Sequence, residues 1–197
     1  MTDSPPTRGS LILRLADGLD ARAWGQFVDI YAPLVFQFAR RRGLQDADAA
    51  DVAQEVLSAV ARAMSRGQYQ CDQGTFRGWL LTIARNEVHS LLASRQRREQ
   101  PGGGTTAQLQ LAAVPAAEEI AAWEADHEQR LFAWAAERVK SEVQPATWLA
   151  FQRTAIDCAS GESVAAELGL TVAAVYLAKS RVMKQLRELV REVEEDG

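Results

Sequence analysis

The sequence predicts an all-α protein of two small helical domains joined by a flexible linker. Apolar residues recur at helical spacing along most of the chain, and neither an alternating strand pattern nor an internal repeat is evident. Residues 101–117, PGGGTTAQLQLAAVPAA, carry no charge and open on a proline and three glycines, which is the composition of a linker. The end of the chain, ESVAAELGLTVAAVYLAKSRVMKQLRELV, reads as a short helix, a glycine, a hydroxyl cap and a long basic helix. That order predicts a helix-turn-helix, the glycine relieving the turn.

The elements follow in order. Residues 1–20 are expected to form a leader, loose where Pro5, Pro6 and Gly9 fall. From Ala21 to Arg42, Trp24, Phe27, Val28, Tyr31, Leu34, Val35 and Phe38 recur at helical spacing; Pro33 should kink or break the run, and Gly43 ends it. Asp46 or Asp48 is placed to cap the next helix, which runs to Met64 and stops at Gly67. Its core stripe would be Val52, Val56, Ala59, Val60 and Ala63, with Asp51, Gln54, Glu55, Ser58 and Arg62 opposite. The loop GQYQCDQG leads to Thr75, the expected cap of a third helix. Beyond the linker come an acidic helix to about Val143 and a helix entered through Pro145, a favoured first position. Ser163 to Leu168 then forms a short helix, Gly169 the turn, and Thr171 the cap of the last helix. The inward stripe there would be Val172, Val175, Ala178, Val182, Leu186 and Leu189.

Composition excludes several classes. Of the 197 residues, 47% are apolar and 24% charged, as in a soluble globular protein rather than a disordered one. The net charge of −4 argues against a uniformly basic nucleic-acid coat but permits local patches. Arg and Lys cluster at 95–98 and 179–191, while Asp and Glu gather at 46–55, 118–128 and the C-terminus. One surface can hold DNA and another can face a protein. Leu11, Ile12 and Leu13 are too short a run for a signal-peptide core, and no stretch approaches the roughly 20 apolar residues of a spanning helix. Cys71 and Cys158 make neither a disulfide framework nor a zinc site, so free thiols in a reducing cytoplasm are expected. The two histidines, His89 and His127, fall in different domains, no nucleophile has a plausible base, and no glycine-rich phosphate loop follows a strand. An enzyme, a metal and a cofactor are not expected.

Two segments carry chemistry. In TFRGWLLTIARNEVHSLLASRQRR, Thr75 to Arg98, one helical stripe holds Trp79, Thr82, Asn86 and His89. Another holds Phe76, Leu80, Ile83, Ala84 and Leu91, and Arg95, Arg97 and Arg98 close the segment. An aromatic ring can stack on an unpaired base, an amide can pair with base edges, and a basic cluster can neutralise phosphates. The same residues also describe an amphipathic helix whose wet face holds a Trp and an Asn, and the segment alone leaves both readings open. On the last helix Ala173, Tyr176, Ser180, Lys184 and Arg187, flanked by Lys179, face outward. Small residues at Ala173 and Ala174 allow close approach to base edges, and the later basic residues would follow phosphates. A two-helix hairpin with a solvated basic face is the plainer alternative.

Taken together, DVAQEVL at Asp51 to Leu57, FRGWLLTIARN at Phe76 to Asn86, the linker and the C-terminal helix-turn-helix resemble the extracytoplasmic-function sigma factors of bacterial RNA polymerase. The resemblance runs from about Trp24 to Leu189, with the motifs in the family's order and spacing. It implies sigma region 2 over residues 21–98, a linker over 99–117, region 4 over 118–192 and a tail over 193–197. It implies that Asp51, Gln54, Glu55 and Ser58 dock on the clamp helices of the polymerase beta-prime subunit, and that region 4 meets the beta flap. It implies capture of the −10 element by the Gly67–Thr75 loop and by Tyr69, Trp79, Thr82, Arg85, Asn86, His89, Arg95, Arg97 and Arg98. For the −35 element it implies Thr171, Ala173, Ala174, Tyr176, Lys179, Ser180, Arg181, Lys184 and Arg187. Core polymerase, promoter DNA and an anti-sigma factor are the implied partners, in the cytoplasm and without membrane insertion. Two departures stand out. Ser90 occupies a position where relatives usually carry Asp, and Val175 is followed by Tyr176, Leu177 and Ala178, with Lys179, Ser180 and Arg181 one turn later. The competing reading is a stand-alone helix-turn-helix activator or repressor, which leaves the Trp79–Asn86 stripe and the acidic face without a task.

Overall fold

The computed structural model describes residues 11–16, 20–69, 75–99 and 115–194, and among these every regular element is helical. The chain divides by its contacts into two compact units, one ending at Arg130 and the other running from Leu131 to Glu194.

In the first unit, α1 (Leu11–Ala16) corrects the expected leader. Leu11, Ile12 and Leu15 lie on one helical face and are buried in the core, so the chain is already structured at residue 11. Arg14 anchors this turn to Asp20 at 2.8 Å, and Asp20 also caps α2 by accepting from the Ala23 N–H. Helix α2 (Ala21–Arg41) runs unbroken through Pro33. A proline inside a helix costs ~3 kcal/mol, and buried side chains on both sides of it, Phe27, Ile30 and Tyr31 before and Leu34, Val35 and Phe38 after, offset that cost. Helix α3 (Asp46–Ser65) packs along α2. Its cap position is Gln45, which makes no side-chain cap bond; Asp46 and Asp48 sit in the first turn and pair with Arg40 and Arg95 instead. They still favour the helix start, through the dipole rather than as caps. Its buried stripe includes Ala49, Ala53 and Met64, with Ala59 at its edge. Helix α4 (Phe76–Glu99) is capped by Thr75, whose Oγ1 accepts from the Gly78 N–H at 3.1 Å. Its core side is Phe76, Leu80, Leu81, Ala84, Val88 and Ala93, rotated from the expected stripe so that Ile83 and Leu91 are only half-buried.

Helix α5 (Ala117–Glu142) contributes its first half to the first unit and its second half to the second. Trp123 and His127 of the first half are buried, Trp123 edge-on to Phe38 and His127 stacked on Tyr31 at 5.4 Å.

The second unit continues through α6 (Pro145–Phe151), with proline in its first turn, into a π-helical turn, Gln152–Ile156. Inside that turn the buried Thr154 hydroxyl donates back to the Ala150 carbonyl at 2.7 Å, which satisfies it locally. Helix α7 (Gly161–Leu168) is capped by Ser160, and α8 (Val172–Glu194) by Thr171, whose Oγ1 accepts from the Ala174 N–H at 3.1 Å. Gly169 sits between them at φ 64°, the left-handed conformation that glycine adopts without steric cost. The two helices meet at 102°, within the range of a helix-turn-helix. Val164 and Ala165 of α7 pack on Val175 and Ala178 of α8 and on Ala150, while Val182 and Leu186 pack on Ala135, Val139 and Phe151. Val172, expected inside, is 39% exposed because it starts the helix beyond the reach of that core. Among the described residues no single helix is long and apolar enough to cross a membrane.

Candidate nucleic-acid interfaces

Helix α4 carries an aromatic cluster at its start. Trp79, half-buried, lies 5.2 Å from the Tyr69 ring and 5.6 Å from Phe76, and Tyr69 and Phe76 meet edge-to-face at 5.5 Å. Phe76 belongs to the core, so it fixes the two partly exposed rings from below. Thr82 is exposed, its hydroxyl bonded to the Gly78 carbonyl, and Asn86 is half-exposed one turn further on. Among the described residues no hydrogen bond engages the Asn86 amide. A rigid ring followed by an amide with open donors and an acceptor suits stacking and edge-pairing with an unpaired base.

The basic residues expected beside this stripe are placed differently. Arg85 is largely covered and lies 3.9 Å from Glu119 of α5, and Arg95 pairs with Asp48 of α3. His89 is half-buried, and burial together with the Arg85 and Arg42 charges holds its pKa below the ordinary histidine range. Periodicity placed these side chains on a face but could not see the carboxylates brought against them from distant segments. The expected roles of the Gly67–Thr75 loop beyond Tyr69, and of Arg97 and Arg98, lie outside the described residues and side chains.

On α3, Asp51, Gln54 and Glu55 are exposed and Ser58 is half-buried. Gln54 and Ser58 edge a groove of about 700 Å³ between α2 and α3, walled by Trp24, Val28, Pro33, Phe36 and Leu57. An apolar trough with a polar margin fits the stripe of a partner helix. The sequence showed the margin and missed the trough, whose walls come from two helices.

On α8 the outward face holds Ala173, Tyr176, Ser180, Arg181, Lys184 and Arg187, all exposed, with Thr171 at its head and Ala174 and Lys179 half-buried. Lys184 lies 3.8 Å from Glu188, an exposed pair of little strength. Tyr176 is 55% exposed, yet its ring rests on Gly161, where a Cβ would come within 2.9 Å of the ring tip. Gly161 is therefore part of this site, which periodicity and motif spacing do not reveal because the contact is tertiary. Leu177 is 69% exposed beside Tyr176. Among the described residues no His, Cys, Asp or Glu group could hold a metal ion, and Cys158 is an exposed free thiol.

Residues 27–98 match the family Sigma-70 region 2. The match covers α2 from Phe27, α3 and nearly all of α4; it bears out the region 2 part of the sigma-factor resemblance, and the helices of the described residues bear out the all-α class read from the sequence. No curated protein matches the chain. Among solved structures the chain is similar to one titled "Structure of CnrH in complex with the cytosolic domain of CnrY", at 25% identity over 91% of this chain and 94% of that one, with a TM-score of 0.35.

Proposed function

We propose that this chain, whose residues 27–98 match Sigma-70 region 2, is a sigma factor of the extracytoplasmic-function type that brings core RNA polymerase to promoters and helps open them. The observation that carries the reading is the Tyr69–Trp79 aromatic pair with the open amide of Asn86 two turns along the same helical face, inside the segment that matches region 2. In this reading the groove between α2 and α3, edged by Gln54 and Ser58, receives the beta-prime clamp helices, and Asp51 and Glu55, exposed on α3, meet basic residues of the partner. Residues 118–192 serve as region 4, where α8 enters the major groove of the −35 element and contacts the beta flap, and an anti-sigma factor is a further expected partner. The protein catalyses nothing itself. It supplies recognition to a polymerase that does.

Strand opening follows from the chemistry of α4. Unstacking a base costs a few kcal/mol, which stacking on Trp79 and pairing with the Asn86 amide offset at the moment the base leaves the duplex. Asn86→Ala should leave polymerase binding unchanged and lower open-complex formation on duplex promoters roughly tenfold to a hundredfold, the worth of a bidentate base contact. On a template already mismatched across the −10 region the defect should shrink. A variant that opens ordinary promoters as well as the wild type removes Asn86 from the reading set.

A further inference from the structure

Four arginines of the first unit meet carboxylates of α5. Arg41 makes a two-pronged contact with Asp126, its Nη2 at 2.8 Å from Oδ1. Arg42, which also lies 3.3 Å over the Phe38 ring, pairs with Glu119. Arg77 reaches Glu124 at 2.8 Å, and Arg85 shares Glu119 at 3.9 Å. Arg41 and Arg42 come from the end of α2, whereas Arg77 and Arg85 lie on the helix that carries Trp79 and Asn86. Asp126 and Glu119 are mostly buried here, at 11% and 18% exposure.

A helix held only for stability gains little from such contacts, because exposed ion pairs contribute little and desolvated ones seldom outdo apolar packing of the same volume. The guanidinium fork, however, fits carboxylate and phosphate equally well. From this we propose that Arg41, Arg42, Arg77 and Arg85 form a binding surface for a DNA phosphate backbone, and that the acidic half-helix Ala117–Arg130 occupies it as an internal competitor in the free protein. The proposal rests on the reading of α4 as the −10 reader, since that helix carries Trp79 and Asn86 on one side and Arg77 and Arg85 on the side turned to α5. Release of α5 then uncovers the arginines as DNA arrives, and the competitor weakens binding of nucleic acid to the free protein.

The test uses the full chain and a fluorescein-labelled dT20 oligonucleotide, without polymerase. Glu119→Gln with Glu124→Gln should tighten binding about tenfold, while Glu118→Gln with Glu128→Gln should change it less than about twofold, if a local competitor rather than net charge governs affinity. Both pairs remove the same charge, but no ion pair engages Glu118 or Glu128 among the described residues. Adding Arg41→Gln and Arg77→Gln to the first pair should abolish the gain. In the wild type, saturating dT20 should speed hydrogen exchange across 117–130. Equal gains from both pairs, no gain from the first, or a gain that survives loss of the arginines each overturns the proposal. Failure of the wild type to open promoters with core polymerase, with the dT20 results as expected, instead overturns the sigma reading and leaves the arginine surface standing.

Discussion

Tyr176 packs with one side of its ring and, in the proposed function, reads with the other. Its ring lies over Gly161, the first residue of α7, and more than half of its surface is open on the outward face of α8. A ring fixed from one side approaches base edges or thymine methyls with little loss of rotamer freedom. Tyr176→Ala should therefore change which −35 sequences are preferred in a selection from randomised elements, as should Gly161→Ala, whose new methyl displaces the ring. The glycine change should cost only about 1 kcal/mol, since the tip of a side chain yields more readily than backbone. Identical preferred sequences for wild type and both variants would mean that Tyr176 only packs. The outward position of Tyr176 was legible from its phase relative to Val175 and Ala178. Its support was not, because the contact with Gly161 is tertiary.

At the scale of elements, periodicity located α2, α3, α4 and the helix-turn-helix, and the capping roles of Thr75 and Thr171 followed from hydroxyls standing before apolar runs. It misjudged what depends on distant partners. Leu11 to Ala16 reads as part of a leader because six residues hardly show a period; burial against α2 and α3 makes them a helix. The Asp and Glu residues gathered at 118–128 read as a surface for a protein partner, yet Trp123 and His127, four residues apart, form a stripe that docks this half-helix within the first unit. His127 sets a pH limit on this docking. Burial, and secondarily the Arg77 charge, push its pKa down to about 4, so the folded state holds it neutral. Between the unfolded value near 6.5 and about 4 the unfolded chain binds the extra proton, so stability present above pH 6.5 is lost as pH falls. The loss is on the order of 3 kcal/mol across the window. His127→Phe, which keeps a ring against Tyr31, should flatten the pH dependence of urea unfolding between pH 7 and 4.5 relative to the wild type. Parallel curves for the two proteins would show that His127 is already accessible to protons.

For the whole molecule, the distribution of charge favours the proposed polymerase-dependent factor over a stand-alone regulator. The chain carries a net −4, and its proposed duplex reader has few cations to offer: Lys179, Arg181, Lys184 and Arg187 on one face of α8. Each phosphate contact adds about 0.9 to the salt slope, so a handful of contacts leaves duplex affinity in the non-specific range, roughly 10⁻⁴–10⁻⁶ M at physiological salt. Specificity then requires a second anchor, and the apolar groove edged by Gln54 and Ser58 is the surface suited to one. The free chain should accordingly show no sequence-specific duplex binding below micromolar concentration. With core RNA polymerase it should co-migrate on a sizing column and protect promoter DNA. Gln54→Ala with Glu55→Arg should weaken co-migration by about tenfold or more while circular dichroism stays unchanged, since both side chains are exposed and make no part of the α3 core. Lys184→Ala should weaken all −35 sequences alike and lower the salt slope by about one unit. Nanomolar, sequence-specific duplex binding by the free protein, indifferent to polymerase and to the α3 substitutions, would overturn this picture, because a net-acidic chain with so few phosphate contacts could reach that affinity only by reading bases as a self-sufficient regulator does.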